Sequence, residues 1–313
     1  MQGYDIIGDT HGCSLTLVSL LTKLGYELAA DGVFGHAERK VIFLGDFIDR
    51  GPGQREVISI VKAMIDAGSA LAVMGNHEYN AIAYATIDEV SGTHLRPHTD
   101  KNAKQHRAFL DAYEHDEDAY TLVIEWFKTL PLWIDLGDLR IIHACWDKDE
   151  IQKILDFQNG SSLLSNSLLH ASCNKHSWQF DSIETILKGK EVPLPEGKLF
   201  HDKDGNIRRA MRIRWWDRFA RTYKQAFFGP DNALAHIPDD EISGEYTIDY
   251  AHDEPPVFLG HYWMEGSPDL LAPNIACTDY SVAKPGGKLV AYRWGGENKL
   301  DKKKFVGVNR IED

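Results

Sequence analysis

Short apolar runs recur along the chain, and five of them end at residue types that bind metal ions. The runs are rich in Ile, Val and Leu, as is typical of buried strands in an α/β sheet. They come directly before Asp9, Asp46, Asn76, His143 and His261. Amphipathic segments at residues 14–24 and 54–67 separate the first three runs and predict helices that connect parallel strands. The pattern therefore predicts an α/β fold.

The residues after these runs predict a metal centre. Parallel strands present their carboxyl ends to the same edge of a sheet, so we expect these side chains to converge at the rim of a single sheet. The candidate ligands are Asp9, His11, Asp46, Asn76, His143 and His261. Imidazole and carboxylate suit Mn²⁺, Fe and Zn²⁺, whereas a set of oxygen ligands alone would favour Mg²⁺ or Ca²⁺. Because a carboxylate can bridge two cations, Asp46 is predicted to be shared by two divalent ions.

The composition argues against some classes of binding partner and indicates where the protein is located in the cell. The chain has 313 residues and a formal net charge of −13, so a broad basic face for nucleic acid or for an anionic membrane is not expected. No apolar stretch approaches the length of a membrane span. The chain enters its first strand at once, which leaves no room for a signal peptide, and its four cysteines include no Cys-x-x-Cys pair. Free thiols in the cytoplasm are therefore expected.

We predict one domain over residues 1–297, with an insertion at residues 147–256 and a solvated C-terminal tail at 298–313. Within the insertion, an Asp-Gly turn predicts a hairpin between residues 197–201 and 207–216. Later strands are predicted at 274–278 and 288–294. A polar, mostly helical stretch covers residues 89–130. Its histidines and basic residues indicate either a solvated helix face or a positive rim for a long polyphosphate: His94, Arg96, His98, Lys101, Lys104, His106 and His115.

The motifs resemble a known family. They are Gly-Asp-Thr-His-Gly at 8–12, Gly-Asp-Phe-Ile-Asp-Arg-Gly at 45–51, Gly-Asn-His-Glu at 75–78, His143, and Gly-His at 260–261. In this order they resemble the calcineurin-like metallophosphoesterases. More narrowly, they are similar to the phosphoprotein phosphatase superfamily, which also contains symmetrical diadenosine tetraphosphate hydrolases. The resemblance covers about 1–145 and 257–295, and it implies a layered αββα sheet sandwich with the insertion over the active-site edge.

The resemblance also implies how the ligands are divided between two metal ions. The first ion would be bound by Asp9, His11 and Asp46, and the second by Asp46, Asn76, His143 and His261. Mn²⁺ is the expected cation, with Fe, Zn²⁺ or Ni²⁺ as alternatives. The chain departs from many broader relatives at Trp263, where they have a second histidine, and this matches the phosphoprotein phosphatase pattern. It also has Cys145 where relatives usually have a glycine. This departure bears on the shape of the loop after His143 and not on His143 as a ligand.

Our mechanistic hypothesis is direct hydrolysis of a phosphate ester or anhydride. His77 would protonate the leaving oxygen, Asp49 would hold His77 in the required tautomer, and Arg50 and Asn76 would bind the phosphate. A second arginine is expected on a strand at 211–216, where Arg212 and Arg214 would share one face; Arg214 is favoured.

The substrate remains open between a phosphorylated small molecule, a nucleotide and a phosphoprotein, with a dinucleoside polyphosphate as the specific alternative. A catalytically silent, metal-bearing scaffold and a nucleic-acid phosphatase are the other two hypotheses, and the net charge of −13 argues against the second. The sequence does not indicate an oligomeric state.

Overall fold

The computed structural model describes residues 2–201, 205 and 207–312. Its strands in these ranges are β1 Gly3–Ile7, β2 Glu27–Leu28, β3 Phe34–Gly35, β4 Arg39–Phe43, β5 Ala70–Ala72, β6 Trp133–Asp135, β7 Arg140–Ile142, β8 Glu191–Pro193, β9 Phe200–His201, β10 Ile207–Arg208, β11 Ala210–Arg212, β12 Val257–Leu259, β13 Leu270–Ala272, β14 Ile275–Cys277, β15 Asp279–Tyr280, β16 Lys288–Trp294 and β17 Phe305–Asn309.

The helices of the same ranges are α1 Ser14–Leu24, α2 Gln54–Asp66, α3 Asn76–Ala85, α4 Asp100–Gln105, α5 Arg107–Tyr113, α6 Glu117–Phe127, α7 Lys148–Phe157, α8 Asn166–Ser172, α9 Trp178–Lys188, α10 Tyr223–Ala226 and α11 Asp231–Leu234, with short 3-10 turns at Gly244–Tyr246 and Lys302–Lys304. The predicted α/β fold is confirmed. Helix α1 has the predicted bounds because leucines at helical spacing cover the sheet and Gly25 ends the helix with a left-handed φ of 92°.

Two mixed sheets form the centre of the fold. The first has the order β15-β16-β1-β4-β5, with β17 also paired to β16, and its strands β1, β4 and β5 are parallel. The second has the order β13-β14-β12-β7-β6, with β7, β12 and β14 parallel. Each parallel set therefore presents its carboxyl ends to one edge of its own sheet.

The alternation of side chains along these strands explains the layering. Ile6 and Ile42 of the first sheet share a buried cluster with Ile141 and Phe258 of the second, so the two sheets pack face to face. Strand residues that point to the outer face of each sheet, such as Phe43, belong to a larger core that includes the apolar sides of the helices. Because successive strand residues point to opposite faces, each sheet is covered on both sides.

The insertion at residues 147–256 is more regular than its sequence pattern indicated. Helices α7, α8 and α9 pack together, and the backbone N–H of Ala144 donates to Ile186 O of α9 at 3.0 Å. Glu254 accepts from Lys148 Nζ at 2.6 Å and from Arg140 Nη1 on β7 at 2.8 Å. These bonds tie the insertion to the second sheet close to His143.

The predicted hairpin in the insertion is present where it is described. Strands β9 and β10 pair antiparallel, while Asp202, Lys203, Asp204 and Asn206 of the predicted turn lie outside the described residues. The predicted strand at 211–216 is wrong beyond Arg212. There the backbone turns, and the Asp217 N–H donates to Arg214 O at 2.9 Å.

The prediction of a solvated tail after residue 297 is wrong for residues 305–309. Strand β17 pairs antiparallel with β16 over its full length, and Leu300 before it is buried. Val306 and Val308 pack against the larger core and Phe305 packs against the cluster between the sheets, which outweighs the polar lysines at 302–304. Across the described residues, none of the helices combines the length and apolar character that crossing a membrane requires.

Candidate metal centre

The predicted ligands lie at the carboxyl ends of strands from both sheets. Asp9, Asp46 and Asn76 follow β1, β4 and β5 of the first sheet, whereas His143 and His261 follow β7 and β12 of the second. The prediction of a single rim is therefore wrong. The ligands still converge, because the parallel strands of the two facing sheets end on the same side.

Two groups of donor atoms meet at Asp46. One consists of His11, Asp46 and His77 and the other of Asp46, His143 and His261, and the donor atoms within each group lie within 4.8 Å of one another. Asp46 Oδ2 is 3.8 Å from His11 Nε2, while Asp46 Oδ1 is 3.4 Å from His143 Nε2. Each oxygen of one carboxylate thus faces a different group, and this arrangement allows Asp46 to be shared by two cations.

Asp9 is a predicted ligand that stands outside these two groups. Its buried carboxylate accepts from the backbone N–H of His261, at 3.0 Å for Oδ2 and 3.3 Å for Oδ1. Burial raises the pKa of Asp9 well above its ordinary value, and the charges of Asp279 and Asp46 raise it further. A buried carboxylate is costly without a cationic partner, so a divalent cation nearby would favour the charged form of Asp9.

The imidazoles are oriented as metal ligands commonly are. His11 Nδ1 lies 2.9 Å from Ile48 O and His143 Nδ1 lies 2.6 Å from Leu44 O, so these nitrogens donate to the backbone carbonyls. In the described part of the chain, the buried Nε2 atom of His11 has no hydrogen-bond partner. An unpartnered buried nitrogen with its lone pair free fits a cation.

The electrostatics of the second group also fit a cation. Asn76 Oδ1 lies 3.2 Å from His143 Nε2 and 2.7 Å from His261 Nδ1. Burial disfavours a charged His143, but the Asp46 charge outweighs this effect and raises the pKa of His143. Burial and the Arg212 charge hold the pKa of His261 well below its ordinary value. His143 Nε2 thus faces both Asp46 and Asn76, at a position where a divalent cation would interact with all three side chains.

In the first group, His11 is in the neutral form that binds metals. Burial, reinforced by the neighbouring His77, lowers the pKa of His11 to about 3. Burial opposes the charge of Asp46, but His143 and His77 outweigh it and hold the pKa of Asp46 well below the ordinary value. The donor set of imidazoles, carboxylates and one amide therefore suits Mn²⁺, Fe or Zn²⁺.

The backbone around the centre is unusual. Non-glycine residues with positive φ cluster here: His11, Asp46, Asp49, Arg50, His261 and Trp263. Such conformations cost of order 1–3 kcal/mol each and persist only where surrounding contacts enforce them. Glu78, fully buried in the first turn of α3, supplies such contacts. Its carboxylate accepts from the N–H groups of Asp46 at 2.8 Å, Phe47 at 2.8 Å and Gly75 at 3.0 Å.

The expected proton donor is present in the predicted arrangement. His77 Nδ1 lies 2.5 Å from Asp49 Oδ2, and its Nε2 is 3.8 Å from Asp46 Oδ2. Burial favours neutral His77, but the charges of Asp46 and Asp49 outweigh burial and raise the pKa of His77. The other oxygen of Asp49 accepts from Nδ1 of buried His106 at 2.9 Å. His106 separates α4 from α5, so the predicted, mostly helical stretch at 89–130 is interrupted at this residue.

Arg50 lies at the edge of the metal centre, whereas Arg214, the other arginine predicted to bind phosphate, is exposed. The Arg50 guanidinium carbon lies 4.1 Å from the ring centroid of Trp263 at the edge of the centre. Arg214, the favoured second arginine, is exposed on the turn after β11. Arg212 lies closer to the ligands instead: its charge lowers the pKa of His261, and its guanidinium is 6.0 Å from the Tyr262 ring.

The sequence model of calcineurin-like phosphoesterases matches residues 4–271. The chain belongs to the calcineurin-like phosphoesterase family. The resemblance drawn from the motifs is thereby confirmed, and the match spans the strands that carry the ligands of both groups. It also covers the insertion, to which the motif resemblance did not extend.

Curated relatives of this phosphoesterase carry the name bis(5'-nucleosyl)-tetraphosphatase PrpE [asymmetrical]. The protein of Bacillus velezensis is 35% identical over 155 residues, which are 49% of this chain and 60% of that protein. The protein of Bacillus subtilis is 34% identical over 157 residues, which are 49% of this chain and 61% of that protein. The chain thus spans about three fifths of the length of the curated relatives it matches.

Solved structures of distant phosphatases share the fold of this phosphoesterase. A protein serine/threonine phosphatase from Saccharomyces cerevisiae aligns with a TM-score of 0.52 and 14% identity, over 99% of this chain and 81% of that one. A cold-active protein-tyrosine phosphatase from a psychrophilic Shewanella aligns with a TM-score of 0.51 and 17% identity, over 93% and 75%. The predicted metallophosphoesterase fold is confirmed by these alignments.

An open cleft of about 1170 Å³ leads from the centre of the phosphoesterase along the segment that carries α4 and α5. Its wall beyond His77 includes these cationic side chains: Arg96, Lys101, Lys104, Arg107 and Lys188. In the described part of the chain, no carboxylate lies within 4.0 Å of the first four, whereas Lys188 pairs with Glu184. The cleft is therefore locally positive although the chain as a whole is acidic.

Sequence reasoning missed three buried residues at the centre: Glu78, His106 and Asp279. Glu78 was visible as the third residue of a helix that begins after Gly75, where a glutamate commonly caps the backbone. Asp279 accepts from the Trp263 N–H at 2.6 Å and from the Ser281 N–H at 3.0 Å, next to the strained loop after β12. No local pattern placed His106 or Asp279 at the centre, because His106 lies 57 positions from Asp49 and Asp279 lies 16 positions from Trp263.

Proposed function

We propose that the chain is a dinuclear metal-dependent hydrolase of phosphate ester or anhydride bonds. The observation that carries this proposal is the carboxylate of Asp46, whose two oxygens face two separate groups of imidazole ligands at 3.8 and 3.4 Å. When bound, two divalent cations would supply activation of water and neutralisation of the phosphoryl charge. Family membership supports the same chemistry.

The chain's own residues would hold these cations and handle the leaving group. Asp9, His11 and Asp46 are the proposed ligands of one cation, and Asp46, Asn76, His143 and His261 those of the other. His77 Nε2 would donate a proton to the leaving oxygen, since its Nδ1 is held by Asp49 at 2.5 Å. Arg50 would bind the phosphate oxygens from the cleft edge. We propose Mn²⁺ as the cation, with Fe, Zn²⁺ and Ni²⁺ as alternatives.

We further propose a dinucleoside polyphosphate as the substrate, in preference to a phosphoprotein. The specific observation in its favour is the positive cleft, since cationic side chains without carboxylate partners suit a polyphosphate chain longer than one phosphate. The PrpE relatives are named asymmetrical bis(5'-nucleosyl)-tetraphosphatases, which supports the same choice. A phosphorylated side chain of a protein would place a single phosphate near the metals and would make less use of this wall.

The test compares kcat/KM of the Mn²⁺-loaded protein on p-nitrophenyl phosphate, a phosphopeptide and diadenosine tetraphosphate. We expect diadenosine tetraphosphate to be the best substrate. His77→Asn should lower kcat by about 10²–10⁴ while both cations stay bound. Absence of turnover on all three substrates by protein with two bound cations would refute the proposal.

The substrate choice has its own test at the cleft wall. Replacing Lys101 and Lys104 with Ala should raise KM for diadenosine tetraphosphate by about 30-fold, because two charged contacts with phosphate at about 1 kcal/mol each sum to about 2 kcal/mol. KM for p-nitrophenyl phosphate should stay within about twofold. Lys175→Ala, at an exposed position away from the cleft, is the matched control. Equal effects on both substrates would contradict the polyphosphate assignment.

A cytoplasmic location is also part of the proposal. It is supported by Cys145, Cys173 and Cys277, which are free thiols, with Cys173 half-buried and the other two buried. Fractionation of cells that produce the full-length protein is the corresponding measurement, and recovery outside the cytoplasmic fraction would contradict it.

A further inference from the structure

Asp49 lies between two imidazoles rather than beside one. Its Oδ2 accepts from His77 Nδ1 at 2.5 Å and its Oδ1 accepts from His106 Nδ1 at 2.9 Å. The Asp49 N–H donates to Gln54 Oε1 at 2.8 Å, and the residue is fixed at a φ of 69°. Both oxygens and the backbone of this carboxylate are therefore engaged within the protein.

The hydrogen bond to Asp49 is the main polar interaction of the buried His106 side chain. Only 4% of the residue is exposed, and its ring lies 4.9 Å from that of Phe109 and 5.5 Å from that of Tyr84. Its Nε2 is buried and has no hydrogen-bond partner in the described part of the chain. Burial of a polar ring in an aromatic environment is costly unless it is hydrogen-bonded, so the bond to Asp49 offsets the cost of placing a histidine here.

The second hydrogen bond changes what Asp49 can do. A carboxylate bonded through one oxygen can rotate about its Cβ–Cγ bond and carry its partner with it. With His106 on Oδ1, the plane of the carboxylate is fixed, and so is the direction of the His77 ring. A displacement of about 1 Å at a reacting group can cost about 10² in rate. We propose that His106 is a positioning residue for the proton donor His77 and acts through Asp49.

This inference rests on the proposed function, in which His77 protonates the leaving oxygen. It adds a link between the proton donor and the cleft wall, because the neighbours of His106 in the chain, Gln105 and Arg107, line the positive cleft. A merely structural role of His106 would stabilise the segment of α4 and α5 without affecting the leaving group. The dependence of the rate on the leaving group separates the two roles.

The test uses His106→Leu and His106→Gln, which remove the donor at Nδ1, and His106→Asn, whose amide can restore it. Each Mn²⁺-loaded variant is assayed on phenyl phosphate, whose leaving group requires a proton, and on p-nitrophenyl phosphate, whose leaving group requires much less help. We expect the Leu and Gln variants to lower kcat on phenyl phosphate by about 10- to 100-fold. Their kcat on p-nitrophenyl phosphate should change by about threefold or less, and Asn should recover most of the loss.

Phe109→Leu is the matched control, since Phe109 packs on His106 in the same segment and has no hydrogen bond to Asp49. It should lower stability and leave the ratio of the two kcat values unchanged. If the Leu variant does not fold, Gln and Asn carry the comparison, because both are polar and smaller than histidine.

An unchanged ratio in the Gln variant, or an Asn variant no better than Gln, would overturn the role of His106. Wild-type protein with two bound cations that is inactive on both substrates and on diadenosine tetraphosphate would instead refute the proposed function. In metal-free protein labelled with ¹⁵N-histidine, loss of His106 should also shift the ring resonances of His77, and unshifted resonances would contradict the link through Asp49.

Discussion

Gly260→Ala should disrupt the metal centre at the junction of the two sheets. Gly260 follows β12 in the second sheet, and a Cβ atom built there would lie 2.1 Å from Asp9 Oδ1, which follows β1 in the first sheet. The φ of Gly260 is not in the left-handed region, so the effect of the substitution is steric rather than conformational. The variant adds one methyl group at the point where the two sheets meet, so it tests whether their close contact there holds Asp9 in place.

The size of the effect follows from this distance. An ordinary contact between carbon and oxygen is about 3.3 Å, so the Asp9 carboxylate must move by roughly 1.2 Å. A metal–oxygen bond tolerates only about 0.2 Å, and loss of one outer contact to a ligand already weakens metal binding by about 10- to 100-fold. We expect one Mn²⁺ to bind at least about 100-fold more weakly. Overpacking should also lower the free energy of unfolding by about 1–3 kcal/mol.

The assay is isothermal titration of metal-free protein with Mn²⁺, together with urea unfolding. Gly35→Ala is the control, because a Cβ atom at Gly35 would meet nothing within 4 Å and its φ is not left-handed. Its Mn²⁺ affinities should equal those of wild type. Binding of two Mn²⁺ ions to the Gly260 variant with wild-type affinities would refute the role of Asp9 as a ligand held across the sheets.

Three further predictions concern stability. Glu78→Gln should lower the free energy of unfolding by about 1–3 kcal/mol, since an amide cannot accept from all three N–H groups. Glu56→Gln, at an exposed position, is the control, and an equal loss of stability in both variants would contradict the role of Glu78. Hydrogen bonds from Lys148 and Arg140 outweigh the burial of Glu254 and hold its pKa in the folded protein below the ordinary 4.5. The charged Glu254 therefore stabilises the fold above pH 4.5, and this stabilisation is lost as the pH falls through the pKa of the folded state. The gap in urea stability between wild type and Glu254→Gln should accordingly narrow in acid, and a constant gap would contradict this sign. Ending the chain at residue 304 should cost roughly 2–4 kcal/mol, because β17 buries apolar side chains, whereas a solvated tail would cost nothing.

The ligands could be predicted from the sequence because each of them lies within four residues of the end of a strand, with Asp9 and His11 after the same strand. The strand and the ligand are neighbours in the chain, so an apolar run and a metal-binding residue type suffice to locate both. Which sheet each strand joins depends on contacts between residues far apart, such as Ile6 with Phe258. Two sheets therefore could not be told from one by the runs alone.

The residues that support the centre were less accessible to sequence reasoning. His106 lies in a segment whose composition is that of a solvated surface, and only its contact with Asp49, 57 positions away, marks it as internal. Arg214 was favoured on the assumption that the strand continues, but a turn after Arg212 separates the two side chains. The lysines at 302–304 concealed the apolar residues of β17, Phe305, Val306 and Val308, which contact the cores on both faces of the sheet.

The central claim is that Asp46 is shared by two cations, and a diffraction experiment tests it most directly. Crystals of the protein soaked in Mn²⁺ should show two anomalous peaks about 3.5–4 Å apart, one on each side of the Asp46 carboxylate. Asp46→Asn should weaken both peaks together. A single peak at saturating Mn²⁺, or loss of only one peak in the variant, would contradict the shared ligand and the hydrolytic function proposed from it.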